Sequence, residues 1–422
     1  MPLNTQFVVV TTGSAGDLFP FLRLAAGLQA RGHKVSLVAP DLHAPMSTQA
    51  GVPFHGTFAD PAVLNHPDLW HPSRGFAIVW RAVQPGLAAL PDFVANLPRE
   101  DACVIVAHPL ALPAADLCRA TGRQIAIAVA YLAPSNIPTV HDPLMLGPLA
   151  VPGWVPHSVR RWLWRTIERR YIDPVVLLDI NSARARAGMT PVDSLFAFLK
   201  HAPDLSLTLF PQWFGPRQPD WPSPLVSGEF PLFDPDPDAA FSPQLQAFLK
   251  QGSKPIVFTP GTANQQASKY FAAARFATER LGRRAIFLTP HRDQVPLPLP
   301  ASILWQEYSP LQKLLPYAAA LVHHGGIGTT AEACRAGVPQ LVVPLAFDQF
   351  DNAARVVALG AGRSLHHARL SARALCRDLE QLLSSSSYVL QADALSTHLS
   401  PPPSLDSVLD AISILISKTG KN

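Results

Sequence analysis

Short runs of consecutive apolar residues recur along the chain, each closed by a glycine or proline turn and followed by apolar positions at helical spacing. The first run is Phe7 to Val10. It ends in Thr11-Thr12-Gly13-Ser14-Ala15-Gly16-Asp17, after which Leu22, Leu24, Ala25 and Leu28 share a helical face up to Gly32. That order predicts strand, glycine loop, helix. Val35 to Ala39, Cys103 to Ala107 and Ile125 to Ala130 repeat the strand signal. Runs apolar at every position, rather than at alternate ones, belong to strands covered on both faces, as in an open parallel α/β sheet.

From about Pro211 to Ala240 the texture changes to Pro, Trp, Asp and Phe without a period, which predicts an inter-domain connection. A second series follows. Ile256 to Thr259 closes at Gly261 and leads into a helix expected from about Ala263 to Gly282. Ala285 to Thr289, Ile303 to Trp305, Ala320 to His323 and Leu341 to Leu345 are the further strands. The chain reads as two doubly wound halves in tandem, residues 1–220 and 221–400. In the tail, residues 401–422, Leu405, Val408, Leu409, Ile412 and Leu415 lie on one helical face, expected to pack back on the first half.

At roughly 150 residues per domain, 422 residues suit two or three domains. With 48% hydrophobic and only 15% charged residues, the chain is excluded from the disordered class. Its 44 prolines punctuate many short elements. A net charge of +4 without a polybasic run argues against a nucleic-acid partner. Cys103, Cys118, Cys334 and Cys376 show neither zinc nor disulfide spacing, which points to a reducing compartment, the cytoplasm by default. Neither a secretory leader nor an apolar stretch of about 18 residues is evident.

In open parallel sheets ligands bind beyond the carboxyl ends of the strands, and three loops fall there. In the first, Gly13 and Gly16, on either side of Ser14 and Ala15, allow close backbone approach, and Asp17 stands either as a helix cap or as a reactive carboxylate. The loop lacks the third glycine of a dinucleotide fingerprint, although Asp41 ends the second strand where an NAD ribose would need it. The second loop is Thr259-Pro260-Gly261-Thr262, an expected helix start able to hold phosphate. The third is His323-His324-Gly325-Gly326-Ile327-Gly328-Thr329-Thr330, with a histidine beside an amide nest. It leads on to Asp348-Gln349-Phe350-Asp351-Asn352-Ala353, whose adjacent acid and amide can take neighbouring sugar hydroxyls.

Two further features carry less. Asp234-Pro235-Asp236-Pro237-Asp238 looks like a metal-binding acid cluster but sits in the expected connection, so it reads as a solvated loop and no metal is expected. Arg160-Arg161-Trp162-Leu163-Trp164-Arg165, continuing to Arg169-Arg170, suits either an anionic membrane face, hence peripheral inner-membrane association, or an exposed helix with two buried tryptophans. The second is the expectation.

Together these residues resemble the inverting nucleotide-sugar glycosyltransferases of the GT-B fold. The donor signature runs from Tyr308-Ser309-Pro310-Leu311 through His324 to Thr330, Glu332 and Gly337-Val338-Pro339 to Asp348-Gln349 and Ala353; Gly13 to Pro20 matches the other end of the fold. More narrowly, Arg31 to Leu37, Leu209 to Phe214, Asp220-Trp221-Pro222 and Phe230 to Asp234 resemble the rhamnosyltransferases of bacterial rhamnolipid synthesis. The resemblance implies two Rossmann-like domains facing across a cleft, an acceptor-binding first domain and a donor-binding second one. It implies transfer of L-rhamnose from dTDP-L-rhamnose to a hydrophobic hydroxylated acceptor such as a 3-(3-hydroxyalkanoyloxy)alkanoate, or glycosylation of a flavonoid or other phenol with a dTDP- or UDP-sugar. Neither cofactor nor metal is implied. By the same resemblance Asp17 is the base and Tyr308 stacks on the nucleobase beside the Leu311 backbone. His324 binds diphosphate with Gly326, Gly328, Thr329, Gly261 and Thr262, and Asp348 and Gln349 hold sugar hydroxyls. For the acceptor, the aromatic candidates are Phe54, Trp80 and Tyr131, with Trp70, Phe76 and the segment from Pro134 to Leu149 beside them.

Overall fold

The computed structural model describes residues 5–416 apart from 72, 99–101, 142–143, 148, 235 and 237–239. Contacts divide the chain into two units, Met1–Pro235 with Ser404–Asn422, and Asp236–Pro403.

In the first unit the strands are β1 (Thr5–Val10), β2 (Lys34–Pro40), β3 (Phe54–Thr57), β4 (Ala102–Ala107) and β5 (Ile125–Tyr131), then a small hairpin of β6 (Leu144–Leu146) and β7 (Leu149–Val151), then β8 (Leu205–Thr208) and β9 (Leu225–Ser227). All but the hairpin form one parallel sheet in the order β3-β2-β1-β4-β5-β8-β9. Phe7, Val8, Val9 and Val10 are each 0% exposed, the two-sided burial that their unbroken apolar run predicts. Burying each such side chain stabilises by about 1.5–3 kcal/mol.

The division falls after Pro235, not after residue 220, and most of the segment from Pro211 is not a connection. β9 adds to the first sheet, and Phe210, Phe214, Trp221 and Phe230 bury their rings there, Phe214 and Phe230 with centroids 5.3 Å apart. A three-residue strand and a cluster of rings carry no periodicity, so the pattern of apolar positions cannot show them.

The second unit holds β10 (Ile256–Thr259), β11 (Ala285–Leu288), β12 (Ile303–Gln306), β13 (Ala320–His323), β14 (Gln340–Val342) and β15 (Gly362–Ser364), all parallel, in the order β12-β11-β10-β13-β14-β15. Ile256 and Phe258 pack into one layer with Phe271, Phe287 and Leu375, while Val257 packs into the other with Ile286, Leu321 and Ala333. Both faces are therefore core. The helix after β10 spans Ser268–Arg280 and so starts later than expected. Asn264 Oδ1 accepts from the Gln266 amide at 2.9 Å and Gln294 Oε1 from the Ala267 amide at 2.9 Å, side-chain bonds that hold residues 261–267 as a loop.

The tail returns to the first unit as the helix Asp406–Ser413. Val408 and Ile412 are fully buried, and a Cβ on Gly27 would come within 2.8 Å of Leu409 Cδ1, so a glycine is what lets the two helices approach. Arg31 adds exposed ion pairs to Asp406 and Asp410. Among the described residues no helix is long and apolar enough to cross a membrane, and no group of three or more His, Cys, Asp or Glu is placed to hold a metal ion.

Candidate active site

β1 ends at Val10, and its loop turns into the helix Ala15–Ala30. Asp17 lies in the first turn of that helix, where its carboxylate reaches back over the loop. The Ser14 amide donates to Oδ2 at 2.9 Å and the Ser14 hydroxyl to the same oxygen at 3.3 Å, so Asp17 does cap. Burial raises the Asp17 pKa from 3.8 to about 6, against the lowering effect of the Ser14 bonds. A half-buried acid of that kind is a far better base than an ordinary surface aspartate.

The loop is braced from outside by His43, which no sequence pattern singled out. Its Nε2 lies 3.0 Å from the Gly13 carbonyl, which only accepts, so Nε2 carries the proton. The side chain is 1% exposed, and burial lowers its pKa, which keeps it neutral.

In the second unit the loops after β10, β13 and β14 converge on His324. A Cβ on Gly261 would lie 2.8 Å from its Cε1, and one on Gly326 would lie 2.6 Å from its Nε2. The two glycines therefore admit the ring between them. Burial lowers the His324 pKa to about 4, so the side chain acts as a neutral hydrogen-bond donor or acceptor rather than a cation. Its Nδ1 is buried without a hydrogen-bond partner, and the ring lines a small pocket with Asn264, Gln266, Tyr270 and His367. His323, next to it, is structural: it is fully buried between Gln340 Oε1, 3.0 Å from its Nε2, and the Gly325 amide, which donates to its Nδ1 at 3.1 Å.

Gly326 caps the helix Ile327–Arg335 through its backbone, and the first-turn amides that follow, Gly328 and Thr329 among them, have no intrahelical acceptor. Thr262 stands in the loop before the Ser268 helix and not at a helix start, its carbonyl 3.2 Å from His291 Nε2.

After β14 the chain makes a tight turn in which Phe347 is left-handed, φ 57°. Asp348 then caps the helix Gln349–Ala358. Gln349 Oε1 accepts from the Leu345 and Ala346 amides at 2.8 and 3.2 Å, so its side chain offers a ligand an N–H and not a second acceptor. Asn352 Nδ2 donates to the Gly325 carbonyl at 2.9 Å and to Asp348 Oδ2 at 2.8 Å, joining the turn after β13 to the sugar-facing acid predicted after β14. The sequence motif contains Asn352, but nothing in its spacing assigns it this bond.

Tyr308, 56% exposed, follows the edge strand β12, and Leu311 opens the short helix Leu311–Leu314. β12 is three strands from β13, roughly 14 Å at ~4.8 Å per strand. Two acceptor candidates are corrected. Trp80 is 0% exposed with Nε1 on Asp179 Oδ2 at 2.9 Å, and Tyr131 is 1% exposed with its hydroxyl on the Leu199 carbonyl at 3.1 Å. Both are core side chains whose polar ends are already bonded. Phe54, Trp70 and Phe76 are half-buried. Of the acid run at 234–238, Asp238 lies outside the described residues, as do 142, 143 and 148 within the segment from Pro134 to Leu149.

Comparison with known proteins decides the family. Residues 7–88 match the glycosyltransferase family 28 N-terminal domain, and residues 286–414 match the erythromycin biosynthesis protein CIII-like C-terminal domain. Glycosyltransferase GtfC of Amycolatopsis orientalis is 30% identical over 85% of this chain and 86% of its own length. The chain belongs to the GT-B glycosyltransferases. Also similar to this glycosyltransferase is the O-mycaminosyltylonolide 6-deoxyallosyltransferase of Streptomyces fradiae, 29% identical over 92% of each chain. Among solved structures, the spinosyn rhamnosyltransferase SpnG matches 97% of this chain and 99% of its own at a TM-score of 0.67 and 20% identity, a likeness of fold.

Proposed function

We propose that this glycosyltransferase moves a 6-deoxyhexose, L-rhamnose, from dTDP-L-rhamnose to a hydroxyl of a hydrophobic acceptor, such as a 3-(3-hydroxyalkanoyloxy)alkanoate, with inversion at the anomeric carbon. The donor reading is carried by the similarity over 92% of the chain to an enzyme named for 6-deoxyallosyl transfer, since rhamnose is also a 6-deoxyhexose. The acceptor reading rests on the sequence resemblance of Leu209 to Phe214 and Phe230 to Asp234 to rhamnolipid-forming enzymes.

In this reading Asp17 takes the proton of the acceptor hydroxyl as the oxygen attacks the anomeric carbon. The bond from that carbon to the diphosphate oxygen breaks as the new one forms, and dTDP departs with the negative charge. With a pKa of about 6, Asp17 is ionised at neutral pH and yet basic enough to help as the hydroxyl acidifies. The leaving diphosphate is received by the amides of Gly326, Gly328 and Thr329 at a helix N-terminus and by the neutral His324, with Gly261 and Thr262 beside them. Tyr308 and Leu311 take the base; the separation of β12 and β13 suits the length of a nucleoside diphosphate. Asp348 accepts from a sugar hydroxyl and Gln349 donates to one.

Calorimetry with dTDP and UDP, followed by turnover of dTDP-L-rhamnose against hydroxyalkanoate dimers and flavonols with product mass read out, tests the reading. Tighter binding of dTDP and a rhamnosylated aliphatic product are expected, with turnover unchanged in EDTA. Preference for UDP and turnover of UDP-glucose would replace it with glucosyl transfer, and a flavonol product with phenol glycosylation.

A further inference from the structure

The helix His157–Ile167 carries two tryptophans with opposite fates. Trp164 turns inward, its Nε1 donating to the Thr139 carbonyl at 2.7 Å and its ring meeting Phe196 edge-on at 5.6 Å. Trp162, about 200° round the helix from it, is 63% exposed. The expectation of two buried tryptophans therefore fails for one. Arg160 also turns inward, and its guanidinium donates to the Val140 and Pro152 carbonyls. That bond ties to the helix the preceding turn, on which Trp154 is 82% exposed.

Along the segment from Pro152 to Ile172 the exposed side-chain charges have one sign. Arg161, Arg165, Arg169 and Arg170 are all exposed, while Glu168, the one acid between Pro152 and Ile172, is buried with its carboxylate held by the Ser194 hydroxyl and the Phe196 amide. Large exposed aromatics are costly to leave in water unless something covers them. A second copy of the same face would set arginine against arginine, so self-association is disfavoured. An anionic bilayer fits both halves of the pattern: guanidinium groups pair with phosphates, and indole rings settle at headgroup depth.

We propose that this face of the first unit docks on a bilayer bearing anionic phospholipid headgroups. The proposal stands apart from the identity of donor and acceptor, and its test uses no activity.

The full chain is floated with vesicles of phosphatidylcholine alone and of phosphatidylcholine with phosphatidylglycerol, at low and high salt. Binding to the phosphatidylglycerol vesicles is expected, weakening as salt rises, with a blue shift of tryptophan fluorescence. Trp154→Ala with Trp162→Ala, and separately Arg161→Glu with Arg165→Glu, should each lower the partition coefficient more than about tenfold while leaving the melting temperature unchanged. Absence of binding to phosphatidylglycerol vesicles, equal binding to phosphatidylcholine alone, or binding indifferent to both double variants overturns the proposal. So does a dimer in light scattering that the tryptophan variant abolishes, which would make a second copy the occupant. The salt and lipid dependence of the unmodified chain decides the question even where a variant folds poorly.

Discussion

A Cβ atom on Gly13 would lie 2.3 Å from Oδ2 of Asp17, so the left-handed glycine, φ 90°, and the folded-back carboxylate exist only together. The glycine loop is thus less a phosphate cradle than the space into which the acid folds. Gly13→Ala is expected to displace Asp17 and lower kcat by about 10²-fold or more, with dTDP affinity nearly unchanged because that ligand is assigned to the second unit. Asp17→Asn should give the same split. Steady-state kinetics beside calorimetry check it, and full turnover in either variant would remove Asp17 from the base role.

The pH profile follows from the Asp17 pKa of about 6. The base form is the carboxylate, so kcat/KM should be level above that pH and fall about tenfold per pH unit below it. An ordinary surface aspartate would put the bend near 4. A profile flat down to pH 4.5 would show that the burial of Asp17 does not govern the proton transfer.

His324 and the two glycines beside it form one packing unit. Gly326→Ala sets a methyl 2.6 Å from His324 Nε2 at the mouth of the Ile327–Arg335 helix, and His324→Ala removes the ring. Both should weaken dTDP binding by roughly tenfold or more, the worth of one or two charge-assisted hydrogen bonds. Calorimetry with dTDP alone reads this without any acceptor.

Asn352 couples two loops, and its loss should appear in the donor sugar rather than in the nucleotide. Asn352→Leu releases Asp348 and leaves the Gly325 carbonyl without its partner, at a stability cost of about 1–3 kcal/mol. The expected signature is a raised KM for the sugar donor with a smaller change in dTDP affinity. Equal losses in both would assign Asn352 a purely structural role.

The tail is a test of packing. Leu409 is 6% exposed and seats on Gly27, so Leu409→Ala should cost about 2–5 kcal/mol and lower the melting temperature of the first unit. Removing Arg31 instead should change little, because its partners Asp406 and Asp410 are exposed. Thermal denaturation of the two variants separates burial from surface pairing.

Much of this protein is determined by local pattern. Unbroken apolar runs such as Phe7 to Val10 and Ile256 to Phe258 demand cover on both faces, which places them in parallel sheets and their glycine loops at the ligand-binding ends. The tail's spacing from Leu405 to Leu415 declares a one-sided helix that needs a surface. Tertiary structure alone decided what depends on neighbours distant in sequence. It made Phe210 to Phe230 part of a core, bonded Trp80 and Tyr131 inside it, left Trp162 in solvent beside the inward Trp164, and set His43 behind Gly13 and Asn352 between Gly325 and Asp348. A residue's periodicity records the face it occupies on its own element. Its hydrogen bonds, its desolvation and therefore its pKa are set by what the rest of the chain brings against that face.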